Sequence, residues 1–226
     1  TGTGGSNIRR FVTLNSNTYF FANTAATGNG LWKTDGTDAG TVIVKDLNDN
    51  GSPDYLTLVG NILFFCGFDD TNGAELWKSD GTEAGTVLVK DIFPGVSDGY
   101  PVNLFNANGT LYFSASNEAK TPGDFIECFN TGGELWKSDG TEAGTLLVKE
   151  IYKGNGGGGG PEGFTVVNGT VFFKANNGLT GRELWKTDGT ANGTVLVKDI
   201  VPTGGSNPKQ FIGMNGTVYF VAFNQD

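Results

Sequence analysis

Short apolar runs and turn signals follow one another in the same order four times along the chain. Each repeat has an apolar run, a tight turn, a second apolar run and a loop, then Glu-Leu-Trp-Lys or Gly-Leu-Trp-Lys, an Asp-Gly-Thr turn and a β-branched run ending in charge. The tryptophans of this phrase are Trp32, Trp77, Trp136 and Trp185. A repeat of roughly 50 residues is typical of solenoids and propellers. Each repeat therefore predicts a four-stranded antiparallel meander.

The turn between the first two runs has a strong hairpin signal, because it reads Asn-Gly at Asn108, Asn168 and Asn215. Asn-Gly between apolar runs indicates a type I′ turn, whose two central residues need positive φ. The second run is apolar without alternation, so we expect it to be covered on both faces. We align residues 19–21 of the first repeat with residues 63–65 of the second.

A sheet of about 45 residues that is apolar on both faces must stack against copies of itself. A propeller and a sandwich both allow this, and the short inner strand and charged outer strand of each repeat favour the propeller. We predict an all-β fold, a β-propeller of four-stranded antiparallel blades, in a single domain covering residues 1–226. It has four complete repeats plus a half repeat, which fill five blade positions or form part of a larger propeller. The approximate repeats are residues 8–47, 55–92, 101–151, 163–200 and 210–224.

The last repeat predicts an open sheet edge. Residues 3–11 match residues 203–211, so both ends of the chain lie in the same phase of the repeat. The first residues therefore cannot supply the third and fourth strands that the last repeat lacks. An open edge favours pairing with another strand. Either the chain belongs to a longer repeat protein, or a neighbouring chain completes the sheet.

Composition narrows the classes of function. Lys and Arg total 15 against 24 Asp and Glu, for a formal net charge of -9, which disfavours nucleic acid and anionic membrane as partners. The chain has no histidine, so the commonest general base and metal ligand is missing. No apolar run is long enough to cross a bilayer, and no signal peptide is recognisable at Thr1. Cys66 and Cys128 allow one disulfide, which would favour an oxidising, extracellular setting.

The phrase Glu-Leu-Trp-Lys-Ser-Asp-Gly-Thr at residues 75–82, with copies from Glu134 and Glu183 and a degenerate copy from Gly30, carries a family resemblance. It resembles the ELWxxDGT repeat of large bacterial secreted or surface proteins, and the resemblance covers nearly the whole chain. It implies extracellular or cell-surface display and no common reaction. Because Gly30 replaces the glutamate in the first repeat, that acid is not expected to be essential to the fold.

The Asp-Gly-Thr turn also resembles the Asp-box hairpin of sialidases and other propellers. An aspartate can accept backbone N–H bonds across such a turn, and the following glycine can adopt positive φ. We therefore predict a structural role for Asp35, Asp80, Asp139 and Asp188. The repeated tryptophans beside leucine are likewise expected in the core.

One connection between repeats predicts a calcium site. Residues 46–54 match D-x-D/N-x-D/N-G-x-x-D and resemble the calcium loops of integrin-type propellers, with oxygen ligands from Asp46, Asn48, Asn50 and Asp54. Alternating oxygens, a turn glycine and a closing carboxylate suit a hard cation. The alternative is a solvated Asn/Asp turn between two strands.

Ligand contacts are expected where the repeats disagree, above all in residues 117–132 and 154–162. The candidate ligand-binding residues are Tyr55, Tyr100, Glu118, Asp124 and Tyr152. The leading hypothesis is a non-catalytic extracellular binding or adhesion module that contacts glycan or protein. A second hypothesis is a structural subunit of a surface layer or filament, polymerising through the open last blade. A sialidase-like hydrolase is the third, since a glycosidase needs two convergent carboxyl groups.

Overall fold

The computed structural model describes residues 5–24, 28–47, 53–117, 133–152 and 159–224. These residues form eighteen strands and no helix. They accordingly include no helix long and apolar enough to cross a membrane. The prediction of an all-β fold is confirmed.

The strands form four sheets of four strands and one sheet of two, numbered 1 to 5 in chain order. Sheet 1 contains β1 (Arg9–Leu14), β2 (Asn17–Thr24), β3 (Gly28–Thr34) and β4 (Val42–Asp46). Sheet 2 contains β5 (Asp54–Val59), β6 (Ile62–Asp69), β7 (Gly73–Ser79) and β8 (Val87–Lys90). Sheet 3 contains β9 (Val102–Ala107), β10 (Thr110–Ala115), β11 (Glu134–Ser138) and β12 (Leu146–Lys149). Sheet 4 contains β13 (Glu162–Val167), β14 (Thr170–Asn176), β15 (Arg182–Thr187) and β16 (Val195–Lys198). Sheet 5 contains β17 (Lys209–Met214) and β18 (Thr217–Val221).

Each four-stranded sheet is an antiparallel meander in chain order, as predicted. The Asn-Gly turns have positive φ at both central residues, for example 53° at Asn108 and 93° at Gly109. This confirms the hairpin prediction, since asparagine and glycine tolerate the left-handed region that a type I′ turn needs.

The strand register corrects the alignment of the first repeat by one residue. Tyr19 pairs with Lys33 in the same way that Phe64 pairs with Lys78, and Phe20 opposes Trp32 as Phe65 opposes Trp77. Residues 18–20, not 19–21, are therefore equivalent to residues 63–65. A run of three aromatic residues is apolar in either register, so the pattern alone could not decide between them.

Neighbouring sheets stack face to face, and each of the first three boundaries encloses one apolar cluster. One face of a sheet supplies residues such as Phe64, Leu76 and Val89, and the opposing face of the following sheet supplies Phe113 and Trp136. The same arrangement recurs between sheets 1 and 2 and between sheets 3 and 4. The second strand is buried on both faces, as expected, because it lies in the middle of this stack.

The outward faces of the first and last sheets carry exposed apolar side chains. Phe11 in sheet 1 is 65% exposed, and Ile212 and Val221 in sheet 5 are 60% and 50% exposed. Equivalent positions inside the stack are covered by a neighbouring sheet. The stack therefore ends in two apolar faces.

Candidate functional site

The two ends of the sheets differ in how strongly the repeats agree. At one end, here called the turn end, lie the hairpins that join the third and fourth strands. At the other, the loop end, lie the connections between consecutive sheets and the loops between second and third strands. The repeats are nearly identical at the turn end and diverge at the loop end, so the loop end is the candidate functional surface.

At the turn end, each aspartate holds its own hairpin. The Asp80 carboxylate accepts the Thr82 N–H at 2.9 Å and the Thr82 hydroxyl at 2.7 Å. The Thr82 hydroxyl oxygen in turn accepts the Gly85 N–H at 3.0 Å. The same bonds recur at Asp35, Asp139 and Asp188. The threonine hydroxyl, and then its N–H, lowers the pKa of all four carboxyl groups.

At the loop end, the first strand of every sheet begins with a bulge. The residue in the bulge has φ between 57° and 66° in Arg10, Tyr55, Asn103, Gly163 and Gln210. Only one of the five is glycine, although the left-handed region disfavours other residues. Bulges at the rim of a sheet direct side chains away from the regular ladder. Four different side chains are thereby presented on the same end of the stack.

The glutamate of the repeated phrase anchors the connection to the next sheet. Glu75 is fully buried and accepts the N–H groups of Ile92 at 2.9 Å, Phe93 at 3.1 Å and Gly99 at 2.7 Å. Glu134 accepts the corresponding N–H groups of the next connection, and Glu183 accepts from Val201 and Ser206. These bonds satisfy loop donors that burial would otherwise leave unpaired.

Burial raises the pKa of the Glu75 carboxyl group to about 8 and that of Glu134 to about 7, although the N–H donors act in the opposite direction. Desolvation disfavours the charged form of a carboxyl group, and hydrogen bonds donated to it favour that form. Raised carboxyl pKa values also occur at catalytic sites. Here the groups occupy repeated structural positions, so their pKa values do not indicate catalysis.

The connection after sheet 1 has no such anchor, because Gly30 occupies the glutamate position. The Asp54 carboxylate, at the end of this connection, forms an ion pair with Arg10 and accepts the Tyr55 N–H at 2.7 Å. The Arg10 guanidinium also lies 5.3 Å from the centre of the Tyr55 ring. Sheet 1 and sheet 2 are thus joined at the loop end by a charge pair.

The predicted calcium ligands are only partly described. Asp46 ends β4 and Asp54 begins β5, whereas Asn48 and Asn50 lie outside the described residues. Among the residues described, no group of three or more acidic or cysteine side chains is placed to hold a metal ion. A cation at Asp54 would compete with the Arg10 guanidinium. The calcium site remains a prediction.

A cavity of about 280 Å³ lies at the loop end between sheets 4 and 5. Its lining residues include the charged Glu162, Lys174 and Lys209 and the aromatic Phe211. The Glu162 carboxylate lies 3.3 Å from the Lys174 ammonium and 2.8 Å from the guanidinium of Arg182. Lys174 also donates to the Asn207 side chain at 3.1 Å. Two cations thus contact the Glu162 carboxylate and a third, Lys209, lines the cavity, so these side chains together carry an excess of positive charge.

The other sequence candidates are dispersed over the loop end. Tyr55 lies in β5 of sheet 2, and Tyr100 lies in the connection from sheet 2 to sheet 3. Tyr152 lies in the connection from sheet 3 to sheet 4, where its ring lies close to Gly178. All three are half-buried. Glu118 and Asp124 lie outside the described residues. The predicted glycan or protein site is therefore not assembled from the tyrosines alone.

Cys66 lies in β6 with its thiol buried and without a bridge to any described residue. Burial raises the pKa of this thiol. Cys128 lies outside the described residues, so the Cys66–Cys128 bridge remains a prediction.

Sequence reasoning missed the charged cluster at Lys174. One signal could have found it. Lys174 follows two phenylalanines in a second strand, at the position that Phe21, Cys66, Ser114 and Val221 occupy in the other sheets. A lysine at a position that is uncharged in every other sheet indicates a specific partner. The partner, Glu162, could not be identified before the pairing of β13 with β14 was known.

No known protein family matches the chain, and no curated protein matches it significantly. Among solved structures, the computationally designed Ika8 protein is similar at 12% identity over 95% of this chain and 55% of that chain, with a TM-score of 0.49. An alpha-L-arabinofuranosidase from Clostridium thermocellum is similar at 14% identity over 95% of this chain and 81% of that chain, with a TM-score of 0.38. A prolyl endopeptidase is similar at 10% identity over 96% of this chain and 39% of that chain, with a TM-score of 0.38. The chain spans about half the length of the designed protein, and at these identities and scores none of the three assigns a function to it.

Proposed function

We propose that the five sheets are blades of a β-propeller and that the chain is a non-catalytic extracellular binding module. The four-stranded meanders and their face-to-face stacking support the propeller. The resemblance to ELWxxDGT repeats supports a secreted or cell-surface setting. In this proposal the turn end maintains the scaffold, and ligands bind at the loop end, where the repeats differ.

The cavity between sheets 4 and 5 is the observation on which the binding function rests. Ligand pockets combine apolar walls with a few placed polar groups. Phe211 offers apolar surface, while Lys174 and Lys209 offer ammonium groups. The chain as a whole carries a formal net charge of -9, so this local excess of cations is a departure from its surroundings. An acidic glycan, such as one carrying uronic acid carboxylates, fits this chemistry.

A glycan array that includes neutral and acidic sugars tests the proposal. We expect acidic glycans to bind and the variant Lys174→Met to bind them about tenfold more weakly, because a hydrogen bond to a charged group is lost. The matched control is Lys90→Met, since Lys90 ends a fourth strand in another sheet and does not line the cavity. An array without hits would contradict the glycan ligand and leave a protein ligand to be sought.

The non-catalytic part of the proposal has its own test. Incubation with generic glycoside substrates is expected to give no turnover. Hydrolysis that is abolished by changing Glu118 or Asp124 would overturn this part, because two such carboxyl groups are what a glycosidase requires.

A further inference from the structure

The first three boundaries between sheets share a contact that is here called the turn contact. An aromatic ring of the second strand lies against the glycine of the Asp-Gly-Thr turn in the following sheet. A lysine of the third strand donates to the carbonyl of that glycine. The ammonium-to-oxygen distances are 3.5 Å from Lys33 to Gly81, 2.8 Å from Lys78 to Gly140 and 2.9 Å from Lys137 to Gly189.

A second lysine extends this contact in two of the boundaries. Lys90, at the end of a fourth strand, donates to the Glu142 carbonyl of the following turn at 3.5 Å. Lys149 donates to the carbonyls of Ala191 at 3.0 Å and Thr194 at 2.8 Å. Two lysines of one sheet thus hold the turn of the next.

Sheet 4 carries the residues of a fourth turn contact. Phe172 opposes Lys186 in the register that Phe64 and Lys78 share in sheet 2. Phe172 is half-buried and Lys186 is exposed, whereas Tyr19, Phe64 and Tyr112 are all buried. Lys198, the equivalent of Lys90, is exposed too.

The outer part of sheet 4 is also uncovered. Val197 is 43% exposed, although the equivalent valines Val44, Val89 and Val148 are 5%, 6% and 6% exposed. In those three cases the following sheet covers the valine. The face of sheet 4 that is directed towards sheet 5 therefore carries the residues that pack against a following sheet, but the third and fourth strands of such a sheet do not cover it among the described residues.

In the part of the chain that the structure describes, sheet 5 has only the first and second strands of such a neighbouring sheet. Among the described residues, β18 pairs with β17 on one edge and with no strand on the other. Phe220 occupies the position of Phe65 and Phe113, whose rings stack on Trp77 and Trp136 at 6.5 Å and 6.4 Å. Tyr219 and Val221, on the same strand, are 49% and 50% exposed.

We propose that this surface binds a β-hairpin of the repeat's own type, formed by the third and fourth strands of a repeat. The hairpin would pair its first strand with the edge of β18, stack its tryptophan on Phe220 and lay its second strand over Val197. Its Asp-Gly-Thr turn would lie against Phe172 and accept from Lys186 and Lys198. The turns carry aspartate and often glutamate, as at Asp80 and Glu83, so their charge complements the two exposed lysines. This interaction is separate from the glycan site and does not depend on it.

Binding of a synthetic peptide with the sequence of residues 74–92 to the intact chain tests the proposal. We expect saturable binding by isothermal titration, together with new protection from hydrogen exchange in residues 217–221. A peptide in which the residue equivalent to Trp77 is changed to alanine is expected to bind at least tenfold more weakly, because the indole supplies much of the buried area.

Chain variants locate the site. Lys186→Met combined with Lys198→Met is expected to weaken peptide binding about tenfold, since two hydrogen bonds from charged donors are lost. The matched control is Lys33→Met, because the turn contact of Lys33 is already occupied by Gly81, and it should bind like the unmodified chain. The proposal is overturned if the unmodified chain does not bind the peptide, if the double variant binds equally well, or if protection appears elsewhere.

Discussion

Sheet 1 and sheets 2 to 4 contain nearly the same phrase in different surroundings. The bonds within the hairpin are the same in all four sheets, for instance from the Thr37 and Thr82 N–H groups to Asp35 and Asp80, both at 2.9 Å. These bonds do not require a preceding sheet. The aspartate and threonine of the phrase therefore belong to the folding of each sheet by itself.

Other residues of the phrase differ between these surroundings. Trp77, Trp136 and Trp185 are buried against a preceding sheet, while Trp32, which has no described sheet before it, is only half-buried. A Cβ atom added to Gly36 would meet nothing within 4 Å, but one added to Gly189 would lie 2.6 Å from the Tyr112 hydroxyl. The tryptophan and the glycine of the phrase thus contribute to packing against the neighbouring preceding sheet.

The glutamate serves the connection to the following sheet, and sheet 1 lacks it. Its place there is taken by Gly30, and the Arg10–Asp54 pair joins the two sheets instead. The residues of the repeated phrase therefore have three separate roles. They hold the hairpin, pack against the preceding sheet and anchor the connection to the following sheet. Equivalent substitutions in sheet 1 and in another sheet distinguish these three roles experimentally.

The tryptophan comparison should have the largest effect. Trp77→Ala is expected to lower the free energy of unfolding by about 4 kcal/mol, because a buried aromatic side chain is lost and a cavity remains. Trp32→Ala should cost about half of that, since Trp32 is already in part exposed. Urea unfolding followed by circular dichroism measures both. Equal losses would show that the preceding sheet does not contribute to the packing of Trp77.

The glutamate anchor should come next. Glu75→Ala leaves three loop N–H groups, two of them buried, without an acceptor and is expected to cost about 3 kcal/mol of unfolding free energy. Glu83→Ala is the matched control, because Glu83 is exposed in the turn, and it should change stability by less than about 0.5 kcal/mol. A loss for Glu75→Ala as small as that of the control would show that the connection does not need its anchor.

The same residue gives a pH dependence of known sign. The folded state raises the pKa of Glu75 from 4.5 to about 8, so it holds a proton that the unfolded chain releases near pH 4.5. The corresponding stability is present below pH 4.5 and is lost as the pH rises towards 8. Glu75→Gln cannot titrate, so its stability should fall less than that of the unmodified chain between about pH 5 and about pH 8.5. The Glu75→Gln variant should still lose some stability as the pH rises, because the pKa of Glu134 is also raised, to about 7.

The sequence predicted the features that depend on local chemistry. Positive φ at Asn108 follows from a dipeptide, and the burial of Trp136 follows from its repetition beside leucine. The role of Glu75 was not predicted, since its partners lie in a connection whose path depends on how two sheets stack. The pairing of Lys174 with Glu162 depends likewise on strand register. Register in the first repeat was predicted wrongly, because the pattern of residues 18–21 does not distinguish neighbouring alignments.

The glycine comparison should have the smallest effect and isolates the turn contact. Both Gly36 and Gly189 have φ near 90°, at 94° and 89°, so alanine costs about 1 kcal/mol at either position from backbone conformation alone. Gly189→Ala adds a collision with the buried Tyr112 side chain and should cost about 1 to 2 kcal/mol more. Urea unfolding of the two single variants and of Gly189→Ala combined with Tyr112→Phe measures the difference. Removing the hydroxyl should recover most of the additional loss, and a double variant no more stable than Gly189→Ala would place the origin of that loss outside the boundary between sheets 3 and 4.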